Sequence, residues 1–512
     1  DVLGSRGLGD VYKRQEYILH SIIKLYVKQL RVYNVNGFTL LTIYVKKQTE
    51  RGPIPMSINS FDNYYMSWKP QLNRTNQPLY ISLARQLEND IATGVLLPGT
   101  KLPPQRELAD FLDINVSTVV RAFKLCSNKG LLTSTVGSGT YVAYDVVTNI
   151  FDTPAKKKPY LIDMGSLTPE TIPQDEVVTL LEKMIQEDDF GRLLQYNHSA
   201  MLFHKEAAVK LLDRAGCHTD ADHVLFASGG QNATYAVLAG LFRPGDRIGT
   251  APTVYPGLKS AAKLIGIHLV PIRQENNEFT AEAIQYAYHN EGITGLYVMP
   301  DYQNPTTHSM PLSCRKMIAR LARDLDLLVI EDGINCLLSP HIHQSIANMA
   351  PEQTIFLASL SKTLIPALRL AYIKAPKKYF KNLRNALYAI QLSPSALLME
   401  LASRMIVSEK FEGLLERRRQ GLKIRNGIVD EILKGYDVRG TEECLHRWLI
   451  LSEDMSGEQF EHLALEHGVY VYGSQRFAVG KDMPVHAARL GICVPSTYDE
   501  LREGLKILRQ LL

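Results

Sequence analysis

From Pro78 onward the apolar positions follow a helical period: Leu79, Leu83, Leu87 and Ile91 recur at every fourth residue, with Arg85, Glu88 and Asp90 between them. Gly94 and Pro98-Gly99 end that run. A second short helix is expected over Gln105 to Leu112. Asn115-Val116-Ser117 then opens a third, capped by Ser117, that carries Val119, Val120, Ala122 and Phe123. Three short helices joined by tight turns form a helix-turn-helix pattern. Beyond Gly130 the period changes. The stretch LLTSTVGSGTYV alternates apolar with polar residues and turns at Gly137-Ser138-Gly139, which predicts a β-hairpin.

Asp145 to Pro159 has no periodicity and contains Pro154 and the run Lys156-Lys157-Lys158, the composition of a linker. After Leu161 helical patterns alternate with short apolar runs, HVLFAS, GLYVMP, LLVIED and TIFLAS. Strands separated by helices predict a largely parallel sheet buried on both faces, hence an α/β class. The expected organisation is an extension over 1–66, a small helical and hairpin domain over 67–144, a linker over 145–160 and an α/β domain over 161–512.

Composition narrows this picture only slightly. The 57 Lys+Arg against 53 Asp+Glu leave a net charge of +4, so affinity for a polyanion has to come from a local patch. Cys126, Cys217, Cys314, Cys336, Cys444 and Cys493 are scattered without a CxxC pair or a His cluster at metal spacing. That usage suits a reducing cytoplasm and predicts no metal. The apolar stretch from Tyr17 to Tyr44 is interrupted by Lys24, Lys28, Arg31 and Asn36, so no uncharged run reaches the roughly 18 to 20 residues of a membrane helix. Residues Asp1 to Gln15 look like translated adaptor sequence, with Met56 or Met66 as alternative starts and an amphipathic extension as the other reading.

On the helical module, Thr118 and Arg121 lie in the first turns of the third helix, where side chains of a recognition helix reach base edges. Arg121 suits guanine, and Arg106, Lys101 and Lys124 suit phosphates. Gly137 and Gly139 would let the hairpin approach the DNA backbone closely. The segment from Pro78 to Leu132, followed by GSGTYV, resembles the GntR class of winged helix regulators over Gln77 to Val142. The resemblance implies double-stranded DNA as partner, contacted through Arg106, Asn115, Ser117, Thr118, Arg121, Lys124, Gly137 and Gly139.

The larger domain carries SLSKTLIPALRLAY from Ser359 to Tyr372, FASGGQNA from Phe226 to Ala233, PDYQNPTT and VIEDG. Together and in this order they resemble fold-type I aminotransferases, in which a lysine forms a Schiff base with pyridoxal 5'-phosphate. The resemblance makes Lys362 that lysine, with Ser359, Ser361, Arg369 and the amides around Gly230 and Gln231 on the phosphate. It places Tyr255 on the pyridine ring, Asn304 on the phenolic oxygen and Asp332 on the ring nitrogen. Arg489 would take an amino-acid carboxylate, and Tyr196 would cross a dimer interface to the partner's phosphate.

A GntR-type winged helix joined to an aminotransferase-like domain is the layout of the MocR family, which the chain resembles from about Trp68 to its end. That resemblance implies a pyridoxal 5'-phosphate fold of type I with a small C-terminal α+β subdomain, and a head-to-tail homodimer. It also implies a regulator that senses the cofactor, or an amine or amino acid, through an aldimine at Lys362. The alternative is an active aminotransferase with an appended DNA-binding domain. Three departures favour response over turnover. Asp332 is followed by Gly333-Ile334 where the family has Asp-Tyr, Thr307 replaces a glycine, and His204-Lys205 replaces Leu-Arg, which is expected to alter the ligand-facing side of the pocket.

Overall fold

The computed structural model of the chain describes residues 66–72, 78–92, 95–96, 99–135, 139–143, 161–169, 174–195, 201–480 and 482–512. The expectations for the extension over 1–65, for the linker over 145–160, and for Gly137 and Tyr196 lie outside the described residues.

Three helices open the fold: α1 (Leu79–Ala92), α2 (Gln105–Leu112) and α3 (Val116–Asn128). Leu83 and Leu87 of α1, Leu108 of α2, and Val119, Phe123 and Cys126 of α3 are all buried, so the fourfold period read from the sequence is the period of the core. The left-handed Asp113 (φ 50°) ends α2 and lets α3 turn back across it. Strands β1 (Leu132–Thr135) and β2 (Gly139–Val142) pair antiparallel with Leu132 opposite Val142 and Thr135 opposite Gly139. Lys101 bridges to Tyr141 beside them. Trp68 is buried against this unit, its indole N–H donating to the Asp90 carboxylate at 2.8 Å.

The α/β domain begins with β3 (Ile162–Asp163) and builds a seven-stranded sheet. Its strands are β4 (Val224–Ala227), β5 (Arg247–Thr250), β6 (His268–Pro271), β9 (Gly295–Val298), β10 (Leu328–Asp332), β11 (Thr354–Ser359) and β12 (Ala371–Lys374), with a β7 (Gln274–Glu275) and β8 (Glu278–Phe279) hairpin inserted. The order is β4-β12-β11-β10-β9-β5-β6. All pairings are parallel except those of β12, which runs antiparallel to both β11 and β4. Every residue of β9, β10, β11 and β12 is buried, as a sheet covered on both faces requires. Alternate residues feed opposite cores. Phe356, Ala358 and Tyr372 pack with the Leu202–Arg214 and Ala396–Val407 helices, whereas Ile355, Leu357 and Ile373 pack with the Gly230–Leu241 and Lys377–Ile390 helices.

The chain ends in a four-stranded antiparallel sheet. It joins β13 (Val438–Arg439), β14 (His446–Ile450), β16 (Tyr472–Gly473) and β17 (Ala487–Gly491), while β15 (Val469–Tyr470) pairs with β3. The Phe411–Ile432 and Tyr498–Gln510 helices close its core. Because β3 is held by β15, residues 164–167 run on from that pair toward the connection after β11, where the Leu167 carbonyl meets Lys362.

Candidate functional site

On the winged helix unit, Asn115 rather than Ser117 caps α3: its side-chain oxygen accepts from the Ser117 amide at 2.8 Å. The expectation that Ser117 is the cap fails because the helix begins two residues earlier: Asn115 has the extended backbone of a cap, which places Ser117 inside the helix at its second position. Ser117, Arg121 and Lys124 are exposed along α3, and Thr118 is half-buried. Arg106 is exposed on α2, and Lys101 extends along the wing, close against the Cα of Gly139 (φ 119°) and 5.9 Å from the Tyr141 ring. Val116 and Val120 are exposed, at 37% and 42%. The apolar count alone could not tell Val120 from the buried Val119, since neighbours on a helix point about 100° apart.

The second constellation gathers at the carboxyl ends of the parallel strands, where α/β sheets hold ligands. The Leu360–Leu370 connection after β11 carries Lys362, whose Nζ donates to the Leu167 carbonyl of the segment after β3. Burial, with the nearby Arg489 and Arg369 charges, brings the Lys362 amine down to about 8. Asp332 ends β10 fully buried. It accepts from the Tyr297 phenol at Oδ2 and from the Ile334 amide at 3.2 Å at Oδ1. Burial raises its carboxyl to about 6, opposed by those two donors.

The turn after β4 starts the Gly230–Leu241 helix with Gly229 as cap at φ 92°, a conformation that favours glycine. A side chain there would meet the Arg369 guanidinium at 3.0 Å, and one at Gly230 would meet Ile334 Cδ1 at 2.4 Å. Glycine at these two positions therefore lets the Arg369 guanidinium and the Ile334 side chain pack directly on the turn that opens the helix. Gln231 turns its side chain away, donating to the Gly257 carbonyl at 2.8 Å, so only its backbone can serve that turn. Ser359 is buried with its hydroxyl 2.9 Å from the Leu370 carbonyl and 3.2 Å from Ser361 Oγ. Tyr255 precedes the Pro256–Ile265 helix; burial and the Asp332 charge push its phenol up to about 12.

Arg489 on β17 reaches the same place. Its Nη1 donates to Asn304 Oδ1 at 2.8 Å and its Nη2 to the Gly165 carbonyl, and the guanidinium lies 4.9 Å from both the Tyr472 and Phe477 rings. Burial lowers it to about 10, and its Nε is buried with no hydrogen-bond partner. The Asn304-Pro305 peptide is cis.

The chain matches the aminotransferase class I and II family over residues 164–508 and the gntR family of bacterial regulatory proteins over residues 79–142. It is 48% identical over 458 residues to the uncharacterized HTH-type transcriptional regulator YdeF of Bacillus subtilis, spanning 89% of this chain and 99% of that protein.

The chain belongs to the MocR family.

It is therefore a DNA-binding transcription regulator built on a fold whose cofactor is pyridoxal phosphate. A more distant relative, the HTH-type pyridoxine biosynthesis transcriptional regulator PdxR of Corynebacterium glutamicum, is 22% identical over 365 residues, 69% of this chain and 78% of that one. Among solved structures, an archaeal alanine:glyoxylate aminotransferase superposes with a TM-score of 0.64 at 18% identity, covering 76% of this chain and 98% of its own. The kynurenine aminotransferase of Pyrococcus horikoshii gives a TM-score of 0.62 at 20% identity over 69% and 91%. These share the fold type I architecture.

Two of the MocR departures read differently in three dimensions. Thr307 has φ 63°, the left-handed conformation that explains why glycine is the common residue there. His204 does not open toward a ligand: it is buried, accepts from the Met201 amide at Nδ1 and bonds Glu400 Oε2 at 2.8 Å, and Glu400 in turn holds Arg404. An imidazole fits here because it spans a backbone donor and a carboxylate at once. Sequence reasoning missed Tyr297, Gly229, the Gly165 and Leu167 carbonyls, and the aromatic pair on Arg489. Only Gly229 had a signal, the double glycine at a strand end; the others are met through long-range contacts. Among the described residues no group of His, Cys, Asp and Glu could hold a metal ion, and no helix is long and apolar enough to cross a membrane.

Proposed function

We propose that this MocR protein adjusts its DNA binding to pyridoxal phosphate, or to an amine or amino acid that displaces Lys362 from it. The observation that carries the reading is a cluster of side chains: the half-buried Lys362 amine under the Arg489 and Arg369 charges, the buried Asp332 carboxylate near Tyr255, and Gly229 against the Arg369 guanidinium. These residues fit the cofactor: the helix N-terminus at Gly229-Gly230 with the Arg369 guanidinium beside it suits a phosphate, and the orphaned Arg489 Nε lies ready for an anion. Bound there, pyridoxal phosphate supplies an aldehyde for amines and an electron-withdrawing ring.

In this reading Lys362 provides the amine, and the Leu167 carbonyl orients it. Arg369, Ser361 and the amides at Gly230 and Gln231 hold the phosphate, with Ser359 fixing Ser361. Tyr255 covers the ring, Asp332 keeps a proton on its nitrogen, and Asn304 gives its amide N–H to the phenolic oxygen because Arg489 occupies its Oδ1. Tyr196 serves the partner subunit's phosphate in a head-to-tail homodimer. The divisions at 67–144 and 161–512 and a cytoplasmic location complete the proposal.

On DNA, Thr118 and Arg121 read bases, with Val116 and Val120 available to thymine methyls, while Lys101, Arg106 and Lys124 bind phosphates. A gel shift on the promoter beside the protein's own gene, with and without pyridoxal phosphate, tests the whole reading. Specific binding that changes with cofactor is expected; no specific binding in either state rejects it. Transamination is the second reading, favoured by the retention of Arg489 in the pocket, and conversion of bound cofactor to its amine form by common amino acids would support it.

A further inference from the structure

We infer that the Tyr297 phenol is a positioning residue for the cofactor: by donating to Asp332 it holds that carboxylate ionised and in one orientation, so that its second oxygen is free to meet the ring nitrogen. The inference rests on the cofactor reading above. Its basis is the geometry of β9 and β10. Tyr297 and Asp332 lie on neighbouring central strands, both fully buried, and the phenol bonds Oδ2. The other oxygen, Oδ1, has only the 3.2 Å contact from the Ile334 amide.

A carboxylate taken out of water is unstable unless donors replace the lost solvation, and a protonated carboxyl could not hold a proton on a neighbouring ring. Asp332 has no lysine or arginine among the groups that shift it; its compensation is two neutral donors, of which the phenol is the stronger. The titratable groups that face it are Tyr297 from β9 and Tyr255 from the loop after β5. Burial and the carboxylate itself push both phenols upward, Tyr255 to about 12 and Tyr297 well above its ordinary value, so each stays protonated and able to donate near neutral pH. A phenylalanine would present the same ring to this core position on β9. The hydroxyl is what the carboxylate needs.

The test is the dissociation constant of pyridoxal phosphate for the full chain, followed by visible absorbance from pH 5 to 9, in the wild type, Tyr297→Phe, Asp332→Asn and the double variant. Loss of one hydrogen bond to a buried charge is expected to weaken binding roughly tenfold at neutral pH. It should also move the acid limb of the affinity profile to higher pH, because Asp332 then protonates earlier. In the Asp332→Asn background the same change should have little effect. Unchanged affinity and acid limb in Tyr297→Phe, with wild type binding normally, overturn the inference alone. An equal loss with and without the carboxylate overturns it too, since Tyr297 would then act through packing. Absence of any absorbing complex in the wild type rejects the cofactor reading itself.

Discussion

At the scale of single residues, the half-buried Lys362 and the fully buried Asp332 are shifted in opposite directions, which bears on both cofactor capture and stability. Lys362 is depressed to about 8 and Asp332 raised to about 6, in each case chiefly by burial. Capture requires the neutral amine, so the rate at which apoprotein takes up pyridoxal phosphate should climb with pH and level off above about 8, as followed by stopped-flow absorbance. In Lys362→Ala that absorbance should be missing. For Asp332 the folded-state value lies above the unfolded one, so its penalty is absent below about pH 4 and develops as pH rises through about 6. The Asp332→Asn apoprotein should therefore be more stable than wild type at pH 8, by on the order of 2 kcal/mol, and no more stable at pH 4. Urea unfolding at the two pH values measures this, and an equal difference at both would contradict it.

At the scale of elements, caps and turns decide where functional side chains point. Asn115→Ala removes the acceptor that starts α3 and should cost about 1 kcal/mol of stability together with a weaker grip on all DNA sites, seen in thermal melts and gel shifts. Arg121→Ala should instead relax sequence preference, while Lys124→Ala weakens all sites alike and lowers the salt slope by about one. Similar salt slopes and similar preferences for the two would overturn that division. In the sheet, β12 runs against its neighbours, so the connection from β11 folds back at the carboxyl ends of the parallel strands. That reversal brings Arg369 from one end of the SLSKTLIPALR segment onto Gly229 at the end of β4. Gly229→Ala should combine backbone strain with a clash against Arg369, weakening cofactor affinity more than it lowers the melting temperature of the apoprotein.

At the scale of the whole chain, the periodicities mark the three helices, the hairpin and the buried parallel strands, whereas the small C-terminal sheet was expected only from the family resemblance. A fourfold apolar spacing in Leu79 to Ile91 and short, mainly apolar runs ending in Glu331-Asp332 and in Ser359 identify helix and buried strand because they record which faces meet the core. Asn304 and Arg489, 185 residues apart in sequence, bond each other directly, and the Arg489 and Arg369 charges both act on Lys362 and on Tyr255. What the sequence left undecided are the relations between its segments. Nothing local distinguishes Tyr297, one aromatic in an apolar strand, from its neighbours until β9 lies beside β10 and its phenol finds Asp332. His204 looked like a change to the pocket because its partner, Glu400, is 196 residues away. Ser117 looked like a cap because serine and asparagine both suit that position, and only the extended backbone at Asn115 fixes where the helix starts. The sequence by itself thus determined the two modules, their elements and the chemistry each carries, since these depend on residue type and spacing. Tertiary structure alone decided which buried polar group answers which, because in a core without water each donor must find its acceptor in space and not along the chain.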